Sequence, residues 1–229
     1  MAKGKLIVID GIDGSGKATQ TKMLAKRLTK EGFKVKTIDF PRYYDNFFGA
    51  LLGEYLSGKY GDFTKVDPRV ASVLYAADRF ESSIQIKKWL ADGCIVITDR
   101  YVSANEIHQG GKIKDAKKRK EFISWLEKME YGVFGLPKPD LVVLLDVPFK
   151  VSKMWLENKI TQRSKKYLQG KKDVAEENLR HLKVSRDCAL SLASENKNWE
   201  KVSCCEGMVC MSLEEVHEEV FRIFKRRIK

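Results

Sequence analysis

The sequence predicts an α/β fold in which helices cover both faces of a five-stranded parallel sheet. Short β-branched apolar runs alternate with segments of helical periodicity, no internal repeat is present, and a glycine-rich turn joins the first strand to the first helix. This alternation is typical of a three-layer α/β/α architecture. The predicted strands are residues 6–9, 35–40, 95–99, 141–146 and 199–202.

Helix boundaries carry recognisable chemical signals. Asp67 can cap a helix that has Pro68 in its first position, and Ser212 with Glu215 makes a capping box. Gly32 is a stop signal after the first helix. The predicted helices lie near residues 17–30, 48–56, 68–92, 115–131, 148–158, 173–196 and 212–227.

Length and composition favour one domain spanning residues 1–229, with 43% apolar residues. No apolar run approaches the roughly 18 residues that a membrane-spanning helix needs, and we expect no signal peptide before the first strand. Five cysteines without metal-ligand spacing favour free thiols that pack as small core residues. We therefore expect a cytoplasmic protein without a membrane partner.

The net charge of +12 raises the possibility of nucleic-acid binding. The basic residues cluster at 112–120, 163–172 and 225–229, without a helix-turn-helix, zinc-finger or RNP signature. The run 117–120 is interpreted as a solvated helix face. Nucleic-acid binding therefore ranks third among the candidate functions and rests on charge alone.

Residues 11–17 form most of a phosphate-binding loop, placed between a strand and a helix as that motif requires. Glycines let backbone N–H groups turn towards a phosphate, the helix N-terminus favours the same anion, and Lys17 adds a point charge. A turn that binds nothing is disfavoured because glycines, lysine and context agree. The predicted ATP-binding residues are Gly11, Ile12, Asp13, Gly14, Ser15, Gly16, Lys17, Ala18 and Thr19.

Ala18 departs from the usual motif, which has a Ser or Thr whose hydroxyl holds Mg²⁺. Thr19 lies one place later, which rotates its hydroxyl by about 100° around a helix. We expect the metal to be held mainly by phosphates, water and a carboxylate. Ala18 also leaves open a catalytically weak nucleotide-binding module.

The third strand ends in Asp99 and is followed by Arg100. An apolar run closed by an aspartate resembles a Walker-B element, whose carboxylate holds Mg²⁺ or its water. Asp99 is therefore the predicted metal ligand, and Arg100 is predicted to clamp an acceptor phosphate with a two-pronged hydrogen bond. The alternative is an ion pair that simply caps the strand end.

The second strand ends in Phe40, Pro41 and Arg42, which combine a flat, fixed surface with a cation. Tyr75 and Arg79 lie four residues apart on the following helix and share a face, so one can stack on a base while the other reaches a phosphate or carbonyl. The alternative is an ordinary amphipathic helix with a core stripe of Val73, Leu74, Ala77 and Phe80.

Six segments in order carry a family resemblance, namely residues 11–17, 39–42, 75–79, 99–101, 136–140 and 212–217. Together they resemble the thymidylate kinases, P-loop enzymes that phosphorylate dTMP. The match covers nearly the whole chain and is weakest between 155 and 198. The resemblance implies a P-loop NTPase-type fold, ATP as donor, Mg²⁺ as cofactor and a homodimer, for which the apolar face of helix 68–92 is a candidate contact.

The resemblance also implies substrate-binding roles. Asp13 lies near the acceptor sugar and phosphate, and Arg42 and Arg100 bind that phosphate. His108 stands where many members have a tyrosine that excludes the ribose 2′-hydroxyl, and the Phe40–Pro41 bond is expected to be cis. The residues implied around thymine are Phe40, Pro41, Tyr75, Arg79, Asn105 and Gln109.

Residues 159–173 are interpreted as a basic lid. Phosphoryl transfer needs positive charge at the developing equatorial oxygens, and the family takes it from a P-loop arginine or a lid arginine. Because the loop carries Gly14 and Ser15, the lid must supply this charge, and Arg163 is the first choice. The alternative is a charged loop without a catalytic task.

The predicted function is therefore ATP-dependent phosphorylation of dTMP to dTDP. Lys17, Asp99, Arg100 and Arg163 are the predicted catalytic residues. A broader (deoxy)nucleoside monophosphate kinase, favoured by His108, and an inactive nucleotide-binding module, favoured by Ala18, remain alternatives.

Overall fold

The fold is built on a five-stranded parallel sheet. The structure is a computed structural model, and it describes residues 4–62, 65–160 and 179–228. The sheet order is 2-3-1-4-5 in chain numbering, so the first strand is central. All five predicted strands are present, with ends shifted by one residue at most. They are β1 (Lys5–Asp10), β2 (Val35–Asp39), β3 (Ile95–Asp99), β4 (Leu141–Asp146) and β5 (Trp199–Ser203).

Helices pack on both faces of this sheet, as the sequence predicts. Alternate residues of β1 supply the two cores: Ile7 and Ile9 pack into one buried cluster, Leu6 and Val8 into the other. The helices are α1 (Lys17–Lys30), α2 (Phe47–Leu56), α3 (Pro68–Glu81), α4 (Ser83–Ala91), α5 (Val102–His108), α6 (Ala116–Glu127), α7 (Phe149–Ile160), α8 (Leu179–Glu195) and α9 (Leu213–Ile228).

The prediction of one helix over residues 68–92 is wrong, because the helix is interrupted at Ser82. The Asn46 amide donates to the Asp78 carbonyl at 2.9 Å, so that carbonyl is taken by a side chain from another segment. The Ser82 N–H instead bonds the Arg79 carbonyl at 3.1 Å. The interruption therefore has a long-range cause that local periodicity does not reveal.

Other boundaries agree with their predicted signals or refine them. Asp67 accepts from the N–H of Arg69 at 2.8 Å, and the Ser212–Glu215 capping box is formed in both directions. The helix predicted over residues 115–131 is α-helical only as far as Glu127, where α6 ends. A π-helical turn (Lys128–Val133) follows it directly. The short helix α5 was not predicted.

The cysteine prediction is wrong for two residues. Cys205 and Cys210 form a disulfide across a two-stranded hairpin, β6 (Cys205–Glu206) and β7 (Val209–Cys210). Cys94, Cys188 and Cys204 are free and buried, as expected of small core residues. Within the described part of the chain, no helix is long and apolar enough to cross a membrane.

A cavity of about 150 Å³ lies against α5 and is lined in part by Ser103, Glu106, Glu127 and Tyr131. The Glu106 side chain is 6% exposed and makes no hydrogen bond with any described residue. Burial, followed by repulsion from Glu127, raises the pKa of Glu106 from 4.5 to about 8.

This shift predicts a pH-dependent stability. Because the folded-state pKa is raised, the stabilisation is complete below pH 4.5 and is lost as pH rises towards 8. The free energy of unfolding should fall by about 1.4 kcal/mol per pH unit across that window. We expect Glu106→Gln to remove this slope in urea unfolding, whereas Glu121→Gln, exposed on α6, keeps it. Equal slopes in wild type and Glu106→Gln would contradict the prediction.

Candidate nucleotide-binding site

The glycine-rich loop runs from the end of β1 to the start of α1, at the carboxyl edge of the central strand. Gly11 and Gly14 have φ angles of 150° and 81°, and a Cβ atom at either would come within 2.8 Å of a backbone oxygen. Only glycine fits such positions without strain. The loop therefore has the geometry predicted from the sequence.

Lys17 is buried at the start of α1, with its ammonium group held over the loop. Its Nζ donates to the carbonyls of Gly11 at 3.1 Å and Ile12 at 2.9 Å. Burial and then the neighbouring Arg100 lower the pKa of Lys17, against the opposing effect of nearby carboxylates. An ammonium group has three donors, so one N–H remains beyond these two bonds.

Asp99 and Arg100 lie beside this loop because β3 pairs directly with β1. Asp99 is in register with Ile9, and the Arg100 N–H donates to the Ile9 carbonyl at 3.1 Å. Asp99 Oδ1 is buried and has no hydrogen-bond partner among the described residues. Burial raises the pKa of Asp99, opposed by Lys17 and Arg100. The site thus contains a buried acceptor oxygen next to two cations.

Arg100 contacts two other predicted site residues, Asp13 and His108. Its φ of 66° lies in the left-handed region, which is uncommon for a non-glycine residue and is often found at functional sites. Its guanidinium donates to Asp13 and contacts His108 Nε2 at 3.1 Å. Asp13 therefore forms an ion pair with Arg100 beside the glycine-rich loop. The side chain of Asp13 is 13% exposed and that of Arg100 is 22% exposed.

The Arg100–His108 contact fixes the protonation of the imidazole. Arginine can only donate, so His108 Nε2 is the acceptor and the ring proton lies on Nδ1. Burial, reinforced by Arg100, holds the pKa of His108 well below its usual range. His108 is therefore neutral in this site.

Asp10 and His181 belong to this site and were missed by the sequence analysis. Asp10 ends β1, accepts from the Gly11 N–H at 2.8 Å and also accepts from the Ser103 hydroxyl. His181 on α8 stacks on His108 with ring centroids 5.4 Å apart. A polar residue ending a buried strand was a signal for Asp10, whereas no local pattern marks His181.

Arg79 is buried at 2% exposure, and its partner is Glu130 on the π-helical turn. Two hydrogen bonds, of 2.7 and 2.6 Å, join the guanidinium to the carboxylate. The amphipathic-helix alternative is wrong in detail, since Val73 and Phe80 of its core stripe are 41% and 50% exposed. The buried side of α3 instead carries the charged Arg79.

The residues that follow β2 have different positions. Phe40 is 4% exposed and packs on Tyr101 with ring centroids 6.0 Å apart, and its bond to Pro41 is cis, as predicted. The Arg42 guanidinium pairs with Asp45 at 2.9 Å, and Asp45 is not one of the predicted site residues. Its backbone N–H donates to the Asp78 carboxylate.

The remaining predicted contacts are spread over α3, α5 and the loop. Tyr75 packs near Leu56 and Ala71, Asn105 donates to Glu130 at 2.9 Å, and Gln109 is buried with its Oε1 lacking a partner among the described residues. Ala18 is exposed at the start of α1. Arg163 and residues 161–173 of the predicted lid lie outside the described residues.

A glycine loop with its lysine, set beside a carboxylate and an arginine on the neighbouring strand, defines a nucleotide-binding protein of the P-loop class. The thymidylate kinase family model matches residues 9–220. The chain belongs to the thymidylate kinase family.

Individual relatives agree with this assignment. The chain is 34% identical over 142 residues to the thymidylate kinase of Mycobacterium tuberculosis (strain CDC 1551 / Oshkosh), covering 62% of this chain and 65% of that relative. It is 31% identical over 231 residues to the probable thymidylate kinase of Pyrococcus abyssi, covering 99% and 98%. The structure of thymidylate kinase from Candida albicans, described as having broad substrate specificity, matches with a TM-score of 0.74 and 25% identity, covering 99% of this chain and 93% of that one.

Proposed function

We propose that this protein transfers the γ-phosphoryl group of ATP to dTMP, giving dTDP and ADP for dTTP synthesis. The observation that carries the proposal is that Lys17 and Arg100 meet at one edge of the sheet, where Lys17 begins the helix after β1 and Arg100 directly follows the adjacent strand β3. Asp13 accepts a hydrogen bond from Arg100 and interacts electrostatically with Lys17. In this proposal the two cations bind two phosphates that are placed end to end.

In this proposal the chain acts mainly by alignment and charge neutralisation. The loop N–H groups and Lys17 hold the β- and γ-phosphates of the donor, and Arg100 holds the acceptor phosphate. The acceptor is already an anion, so no strong general base is required. Holding donor and acceptor in line lowers the activation free energy, because their translational and rotational entropy is already lost on binding.

Asp99 is the proposed ligand of Mg²⁺. Its Oδ1 is a buried oxygen without a hydrogen bond to a described residue, which suits a hard cation. Mg²⁺ usually binds one or two carboxylates together with substrate phosphates, so the absence of a Ser or Thr at position 18 is compatible with binding. When bound, the ion would neutralise charge on the donor oxygens.

We propose that Arg163, in the basic segment that the sequence predicts to be a lid, supplies charge to the transferred group. The loop itself offers no arginine between Gly11 and Lys17. The whole chain, residues 1–229, would act as one kinase domain in the cytoplasm.

A coupled ADP-release assay with Mg²⁺ and a panel of monophosphates tests the activity. We expect turnover with dTMP to exceed that with dUMP, UMP and dCMP. Equal kcat/KM for dTMP, dUMP and UMP would replace the proposal with a broad monophosphate kinase. Nucleotide binding without ADP release would instead indicate an inactive binding module.

A homodimer is proposed through an apolar surface on α3 and α4. Val70, Val73, Phe80 and Ile84 are 56%, 41%, 50% and 80% exposed there. A second copy of the chain would remove this surface from water, which favours association. We expect a dimer in sedimentation equilibrium and a monomer for Ile84→Glu. A dimer in Ile84→Glu would exclude this face.

A further inference from the structure

Arg79, Glu130 and Asn105 form a hydrogen-bonded cluster between α3, the π-helical turn and α5. Glu130 Oε2 accepts from Arg79 Nε at 2.7 Å, and Oε1 accepts from Arg79 Nη2 at 2.6 Å and from Asn105 Nδ2 at 2.9 Å. Asn105 Nδ2 also donates to the Ser72 carbonyl at 3.2 Å. The exposures of Arg79, Glu130 and Asn105 are 2%, 0% and 2%. Both oxygens of a fully buried carboxylate are therefore satisfied.

Stability alone is a weak explanation for this cluster. Burying an ion pair costs desolvation that the attraction between the charges often only balances, so apolar residues of similar volume can serve a core equally well. The geometry instead restricts Arg79, because a two-pronged bond fixes the plane of the guanidinium as well as its position. Glu130 also comes from a π-helical segment, a feature frequent at functional sites.

The two-pronged bond to Glu130 leaves one edge of the Arg79 guanidinium available to a ligand. Arg79 has five N–H donors, and Glu130 engages the Nε and Nη2 side, while Nη1 has no hydrogen-bond partner among the described residues. This edge can only donate. A nucleobase carbonyl oxygen could accept a hydrogen bond from this edge, whereas an exocyclic amino group would place one donor against another.

The helix α5 connects this edge to the phosphate end of the site. Asn105, which binds Glu130, and His108, which binds Arg100, are three residues apart and share a helix face. The Arg79–Glu130–Asn105 cluster and the Arg100–His108 pair are thus held one helical turn apart.

We infer that Glu130 is a positioning residue that orients Arg79 and thereby makes the acceptor site selective for bases with a carbonyl oxygen at the contacted position, such as thymine, over bases with an amino group, such as cytosine. Glu130 itself touches no substrate. The inference rests on the proposed function, since it assumes that the acceptor base reaches Arg79.

The test is Glu130→Gln, whose amide keeps the size of the side chain but accepts at one oxygen only. We expect KM for dTMP to rise about tenfold with kcat little changed, and the ratio of kcat/KM for dTMP to that for dCMP to fall about tenfold. KM for ATP should stay at the wild-type value. Glu127→Gln, exposed and one turn earlier on α6, is the matched control.

The outcomes separate the inference from a structural role and from the proposed function. A folded Glu130→Gln protein with a lower melting temperature but wild-type KM and base ratio would overturn the inference. Should that protein not fold, Glu130→Asp keeps the charge and shortens the reach, and it must show the same direction of change. Wild-type protein without dTMP turnover would overturn the proposed function, whereas active wild type with unaffected variants overturns the inference alone.

Discussion

Replacing Lys17 with alanine should lower kcat for phosphoryl transfer by roughly 10³-fold or more. Lys17 is a cation that is already buried and aimed by two loop carbonyls, so it stabilises developing charge without reorganising. Its loss removes the cation that binds the β- and γ-phosphates of the donor in the proposed mechanism. The measurement is ADP release at saturating ATP and dTMP.

Two comparisons make the Lys17→Ala result specific. The affinity for dTMP, measured by calorimetry, should be nearly unchanged, because Lys17 binds the phosphates of ATP in the proposed mechanism. Lys22→Ala, an exposed change on the same helix, should retain wild-type kcat. Near-normal turnover in Lys17→Ala, or an equal loss in Lys22→Ala, would exclude a role for Lys17 in transfer.

The parts of the site that the sequence predicts are those held by local backbone. Gly11, Gly14 and Lys17 lie in one loop whose spacing determines its shape, and Asp99 and Arg100 end a strand that pairs beside it. Parallel strands bring their carboxyl ends to the same edge, so the two motifs meet once the sheet order is known. Neighbouring residues and sheet topology are sufficient for this half of the site.

The parts that the sequence does not predict depend on contacts between distant segments. Arg79 and Glu130 are 51 residues apart, and neither helical periodicity nor spacing links them. Asn46, 32 residues before Asp78, interrupts a helix whose own sequence reads as continuous. The disulfide is different, because Gly207 between Cys205 and Cys210, with a φ of 61°, is a local turn signal for the hairpin.

The second large effect is expected for Arg100→Lys, which should lower kcat/KM for dTMP by roughly 100-fold. Lysine keeps the positive charge among Asp10, Asp13 and Asp99, the carboxylates that raise the pKa of Arg100 well above its ordinary value despite burial. The fold should therefore tolerate the change. What lysine loses is the planar fork that can hold Asp13 and a phosphate together.

The kinetics of Arg100→Lys should show on which substrate the residue acts. We expect KM for dTMP to rise and KM for ATP to stay near the wild-type value, because Arg100, which directly follows β3, binds the acceptor phosphate in the proposed mechanism. Arg222→Lys, an exposed change on α9, provides the control for a general effect of arginine replacement. A rise in KM for ATP alone would contradict this assignment, because it would mean that Arg100 binds the donor phosphates and not the acceptor phosphate.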